Sequence, residues 1–178
     1  MFEKQPWMQR AGEYPQTDQE YFALLARAVF SAGLGPKVVE SRWKDMDEAF
    51  HGFDPAVVAQ MGEEDVARFL GDPAVIRNRR KIEAVIKNAG TFLDQVEEGK
   101  TAGAPVNGHG VFHEYLLDLG AGADLDLAAD ALACVFAHLG RTSALFFLFS
   151  AGWRPREGGV ATNAPRAGVE GPAAPARE

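Results

Sequence analysis

Apolar residues recur along the chain at three- and four-residue intervals, and that spacing predicts helices from end to end. Tyr21, Leu24, Leu25 and Ala28 share one helical face, and Thr17 with Glu20 precedes it at capping-box spacing. Gly33, Gly35 and Pro36 end this helix, and Val39, Trp43, Met46 and Phe50 mark a second stripe. Asp54 followed by Pro55 reads as an N-cap with proline at the first helical position, opening a short helix through Val57, Val58 and Met61. Another short helix carries Val66, Phe69 and Leu70. Beyond a break at Gly71-Asp72-Pro73 comes the longest stripe, Ile82, Val85, Ile86, Ala89, Leu93 and Val96. A glycine-rich loop from Gly99 to Gly110 follows, and further helices are expected around Phe112 to Leu119, Leu127 to Leu139 and Thr142 to Ala151. No segment sustains a two-residue alternation, so the expected fold class is all-α.

Composition bounds the organisation. With 178 residues, 47% of them hydrophobic, the chain can bury one sizeable core, which predicts a helical domain over residues 1–153. From Arg154 onward alanine, glycine and proline predominate. Such a segment has too little apolar surface to offset its ordering entropy, so 154–178 is expected to be a mobile tail. The single cysteine, Cys134, rules out an intrachain disulfide. The apolar run Ala144 to Phe149 is too short for a bilayer, and Met1 to Arg10 has no signal-like apolar stretch. A soluble cytoplasmic protein, monomeric, is the expectation.

A net charge of -7 argues against a broad nucleic-acid surface, yet Arg77, Arg79, Arg80 and Lys81 concentrate four positive charges in five positions. The segment Phe69 to Ile82 reads as helix, tight turn and basic helix start. Unpaired amides at a helix N-terminus suit a phosphate oxygen, and Arg77 and Lys81, four apart, share a helical face that can flank it. A solvated surface helix is the plainer alternative on charge alone.

Three stretches change that balance: Phe50-His51-Gly52-Phe53-Asp54-Pro55, Glu63-Glu64-Asp65-Val66, and Val75-Ile76-Arg77-Asn78-Arg79-Arg80-Lys81-Ile82 continuing to Ala89. Together with Ala32-Gly33-Leu34 they resemble the 3-methyladenine DNA glycosylase I family, strongly from Ala32 to Asn88 and more weakly to Gly152. The resemblance implies a two-lobed helix-hairpin-helix glycosylase-like domain. It implies double-stranded DNA with alkylated bases as partner, and base flipping with hydrolysis of the N-glycosidic bond of a purine such as 3-methyladenine. On this reading Ala74, Val75, Ile76, Arg77, Asn78 and Lys81 hold the DNA backbone. Ala74 stands where the family's hairpin usually has glycine. Leu34 matches the residue that wedges into the base stack, although a loop residue covering the core is an equal reading.

The chain departs from the family at several positions. Ala28 occupies the place of the family's base-recognition glutamate, and Pro36 that of a tryptophan. Trp7 keeps an aromatic where the family has tyrosine, while Met8 falls on a zinc-ligand histidine. The C-terminal zinc ligands fall near Glu157, where there is no cysteine. His51, His109, His113 and His138 are not at the family's ligand spacing, so no metal and no other cofactor is expected. The expected base pocket is Trp7, Tyr14, Ala28, Phe30 and Pro36, with Trp43 and Trp153 as further ring candidates, and core packing is the competing reading for Phe30 and Trp43. Aromatic faces suit an alkylated base because alkylation makes it cationic. Glu40 and Asp118 are the candidate carboxylates for stabilising an oxocarbenium ion or orienting water. The alternatives to an active glycosylase are a DNA-binding descendant without the chemistry, or an interaction module that has left DNA.

Overall fold

A computed structural model describes residues 2–101, 103 and 108–155, and among these every regular element is helical. The chain runs through α1 (Asp18–Ser31), α2 (Pro36–Glu40), α3 (Trp43–Ala49), a 3-10 turn (His51–Phe53), α4 (Pro55–Val58), α5 (Glu63–Gly71), α6 (Arg79–Thr101), α7 (Val111–Asp118), α8 (Leu125–Val135) and α9 (Arg141–Ser150).

Local chemistry starts the helices where the sequence predicts. Thr17 Oγ1 accepts from the Glu20 amide at 3.2 Å. The returning Glu20 carboxylate takes the Gln16 amide at 2.7 Å, one residue upstream of the expected reciprocal bond. Asp54 accepts from the Ala56 amide at 2.9 Å and opens α4. The stripe from Val39 to Phe50 does not form one helix. Gly35 (φ 82°) and Pro36 launch α2, and the backbone leaves helical geometry at Arg42 (φ -114°, ψ -4°) before α3 begins. α6 continues past Gly99 to Thr101, into the segment expected to be loop.

α1 is the central element. Tyr21, Phe22, Leu25, Ala26, Ala28, Val29 and Phe30 are all buried. It packs against α2 and the 3-10 turn on one side, against α7 and α9 on the other, and along α6. Rings tie these layers together: Phe22 meets Phe92 at 5.3 Å, Phe92 stacks on Phe112 at 4.1 Å, and Phe112 reaches Phe147 at 6.4 Å. A buried amide adds a polar fixing point. Asn88 of α6 donates to the Ala137 carbonyl at 2.9 Å and accepts from the Ala137 amide at 2.7 Å, which anchors the turn before α9.

The segment before α1 is held against the end of α9. The Gln9 amide donates to Ser150 O at 2.9 Å, and the Gly12 amide donates to Gly152 O at 3.0 Å. Gly152 has φ 95°, and a Cβ there would lie 2.0 Å from Glu13 O. Among the described residues no helix is long and apolar enough to cross a membrane. Of the tail expected over 154–178, the residues from 156 on lie outside the described residues.

Candidate functional site

The bend between α5 and α6 is built by short side chain-to-backbone contacts. Asp72 Oδ1 accepts from the Ala74 amide at 2.9 Å, and the Val75 amide donates to Asp72 O at 3.2 Å. The Ile76 amide faces Met46 Sδ at 3.3 Å. Asn78 caps α6, its Oδ1 accepting from the Lys81 amide at 3.2 Å. This corrects the expectation that Ala74, Val75 and Ile76 offer free amides to a ligand. Their amides are engaged within the protein, and the Val75 and Ile76 side chains are buried, so they anchor the bend. Among the described residues nothing accepts from the amides of Arg77, Arg79 and Arg80, so the anion-binding corner sits at the first turn of α6.

The basic cluster divides into three roles. Arg79 pairs with Glu63 at 2.8 Å and Glu83 at 3.0 Å. Arg77 and Arg80 are exposed, and among the described residues no acid pairs with them. Lys81 does not share an outward face with Arg77, because α6 begins at Arg79 and turns Lys81 inward. Its Nζ donates to Phe30 O at 2.8 Å and also to Ala32 O, which binds the start of α6 to the C-terminal end of α1. Burial lowers the Lys81 ammonium below its ordinary pKa.

Those carbonyls lie directly before the loop that carries Leu34. Gly33 (φ 76°) and Gly35 (φ 82°) flank Leu34, and the Leu34 and Gly35 amides both donate to Ser31 O, at 3.2 and 3.0 Å. Positive φ on both sides favours glycine and makes a narrow tip. Leu34 is 39% exposed at that tip. It edges a cavity of about 400 Å³ lined also by Phe2, Pro36, Lys37, Val38 and Phe146. A neighbouring cavity of about 210 Å³ is lined by Ala28, Ser31, Pro36 and Phe146 among others.

The expected pocket aromatics do not converge. Phe30 is fully buried and packs on Phe50 at 5.9 Å, so it belongs to the core. Tyr14 lies elsewhere, 4.4 Å from Trp153 and 4.8 Å from His113, lining a separate cavity of about 300 Å³. Trp7 stays at the wedge side, meeting Phe146 edge-on at 6.1 Å. Asp118 is exposed at the end of α7, an element that lines neither cavity beside Leu34.

Sequence reasoning missed Arg27. Its guanidinium lies 3.6 Å over the Trp7 ring and 4.6 Å over the Trp43 ring, and it forms an ion pair with Glu40. Trp43 in turn stacks on Phe53 at 4.8 Å, so Trp43 joins the slot and is not solely a core ring. Glu40 therefore acts first as the counter-ion of Arg27. Burial lowers Arg27 to about 10. The available signal was a single arginine inside the apolar face formed by Leu24, Leu25 and Ala28.

A zinc site does not fit the residues present. Met8, on the zinc-ligand position, is buried, and among the described residues no group of three or more His, Cys, Asp or Glu side chains could hold a metal. Glu157 lies outside the described residues. The backbone bonds from Gln9 and Gly12 to Ser150 and Gly152 hold the segment before α1 against the end of α9.

His113, within the Tyr14 cavity, gives a pH-dependent prediction. It pairs with Tyr21 Oη at 2.6 Å, and burial followed by the nearby His109 lowers it below 6.5. The unfolded chain therefore takes up this proton first as pH falls, so stability is lost below about pH 6.5 and the loss ends once pH passes the folded value. Urea unfolding at pH 7.5 and 5.5 is expected to show that loss, and His113→Gln is expected to reduce it. Equal losses in both proteins would exclude His113 as the source.

Comparison with known proteins adds the family. A methyladenine glycosylase family model matches residues 7–107, more than half of the chain. The DNA-3-methyladenine glycosylase 1 of Escherichia coli (strain K12) is 38% identical over 87 residues, 48% of this chain and 46% of that protein. The DNA-3-methyladenine glycosylase of Haemophilus influenzae is 35% identical over 80 residues, 44% of this chain and 43% of that protein. The chain thus spans just under half the length of these curated relatives. A 3-methyladenine DNA glycosylase I from Staphylococcus aureus superposes with a TM-score of 0.67 at 24% identity, over 84% of this chain and 87% of that one. The solution structure of a 3-methyladenine DNA glycosylase I gives 0.64 at 25% identity over 81% of both chains. The all-helical fold is that of these enzymes, and the chain belongs to the methyladenine glycosylase family.

Proposed function

We propose that this protein is a monofunctional DNA glycosylase of base-excision repair, hydrolysing the N-glycosidic bond of alkylated purines such as 3-methyladenine in double-stranded DNA. It acts as a monomer in the cytoplasm. The observation that carries this reading is the link through Lys81, which joins the exposed first turn of α6 to the carbonyls beneath the Leu34 loop. A backbone grip and an apolar wedge are thereby held in one register, as base extrusion requires. Arg77, Arg80 and the amides of Arg77, Arg79 and Arg80 take the phosphate. Leu34 fills the vacated stack, and the extruded base enters beside Ala28, Pro36 and Trp7.

A DNA-binding role without base release is favoured by two features, Ala28 in place of a hydrogen-bonding acid and Arg27 filling the aromatic slot. Single-turnover release of labelled 3-methyladenine from alkylated duplex DNA separates the two readings. The glycosylase reading expects release above the spontaneous rate, reduced by Leu34→Ala. Binding to abasic-site DNA with release at the spontaneous rate would establish the second reading.

A further inference from the structure

Arg27 is an unusual filling for the space between two indoles. It is 4% exposed, its guanidinium lies over both Trp7 and Trp43, and Glu40, whose side chain is 52% exposed, holds it from the rim. Two buried donors at this place, Arg27 Nε and Trp7 Nε1, have no acceptor. Buried polar atoms are normally paired, so a displacement that returns the guanidinium to water removes the Arg27 gap. The slot already holds a planar, delocalised cation between aromatic faces and beside a carboxylate. A purine nucleotide alkylated at N3 is also a planar, delocalised cation.

We propose that Arg27 is a placeholder that sets the threshold for base entry: its guanidinium occupies the Trp7–Trp43 slot until a cationic base, which the rings and Glu40 hold strongly enough, displaces it. The proposal rests on the glycosylase reading above and assigns it a means of rejecting normal bases. A cationic base that replaces Arg27 leaves Glu40 neutralised and both indole faces occupied by positive charge, while the guanidinium regains water. A neutral base entering the same slot must separate Arg27 from both rings and strand Glu40 without a counter-ion. Charge exchange is matched for the damaged base and unmatched for the undamaged one, so discrimination precedes any bond cleavage.

The test uses free bases with the full chain, read by tryptophan fluorescence quenching. The probes are 3,9-dimethyladeninium, which retains the cation of a 3-alkylated nucleoside, and neutral 9-methyladenine. Wild type is expected to bind the cation at least about tenfold more tightly. Arg27→Ala opens the slot, so both probes bind more tightly by a similar factor, and the preference for the cation, which Glu40 and the ring faces supply, is retained. Methylguanidinium added to Arg27→Ala is expected to refill the slot and compete with both probes, with no such competition in wild type. Glu40→Gln, altered at the exposed rim, is expected to lower the ratio by weakening the cation, and it decides the matter if Arg27→Ala does not unfold cooperatively. A wild-type ratio near one, no saturable quenching by either probe, affinities unchanged in Arg27→Ala, or a ratio unchanged in Glu40→Gln would overturn the proposal. Neither DNA docking nor hydrolysis enters this titration. Absent base release with the probe order intact therefore sinks the glycosylase reading alone, while release with no probe preference sinks the placeholder alone.

Discussion

Replacing Arg77 and Arg80 together by alanine is expected to weaken duplex DNA binding by about tenfold or more, and to lower the salt dependence of log K by roughly one to two. Both side chains are exposed beside the free amides of the first α6 turn, whereas Arg79 is committed to Glu63 and Glu83. Arg79→Ala should therefore change affinity far less than either of its neighbours. Lys81→Met should differ again. It cuts the link to Phe30 O and Ala32 O, so its main effect is on stability and on the Leu34 loop, with the salt slope nearly unchanged. Titration at several salt concentrations checks all three. An unchanged slope in the Arg77/Arg80 double variant would remove the phosphate site from this corner.

Gly152→Ala is expected to destabilise the fold by about 3 kcal/mol or more, the largest single-site stability effect in the account. Its φ of 95° strains any side chain, and the new Cβ would meet Glu13 O at 2.0 Å and Arg10 O at 2.8 Å, both of them backbone atoms that cannot swing aside. Gly12 supplies the control. Its φ is 79°, but a Cβ there meets nothing within 4 Å, so Gly12→Ala should cost only the conformational strain, about 1 kcal/mol. Urea unfolding of the two variants compares them directly. Similar small losses would mean that the terminal segments are not clamped at Gly152.

The helices were legible because their signals are local. Thr17, Asp54 and Pro55 act within a turn of themselves, and the α6 stripe persists long enough to outweigh any competing pattern. The stripe from Val39 to Phe50 misled because α2 and α3 both face the core. Periodicity continues across the bend at Arg42 even though the backbone does not. The bend between α5 and α6 was placed correctly, but its hydrogen bonding depends on Met46, thirty residues away, and on Asp72. Lys81 was placed on an outward face because it stands four residues from Arg77, but α6 begins only at Arg79 and two distant carbonyls draw the ammonium inward.

The site itself was legible in part. Leu34 was singled out by the resemblance around it, and it stands at a tip between Gly33 and Gly35. Trp7 and Tyr14 were grouped because both are aromatic and precede α1, yet Tyr14 turns to Trp153 and His113, while Trp7 faces Arg27. The slot draws Trp7, Arg27, Glu40 and Trp43 from three separated segments, and each has an ordinary explanation when read alone. A charged residue on an otherwise apolar helical face is the trace such a site leaves in sequence. It marks a buried charge that needs partners without naming them.

Base extrusion itself tests the central claim most directly. A duplex carrying 2-aminopurine beside an abasic analogue reports unstacking as a rise in fluorescence. Wild type is expected to produce that rise on binding, and Leu34→Ala to bind with little or none of it. Saturable binding by wild type with unchanged 2-aminopurine fluorescence would contradict the account, because a protein that grips the backbone and leaves the stack intact does not work as a base-flipping glycosylase.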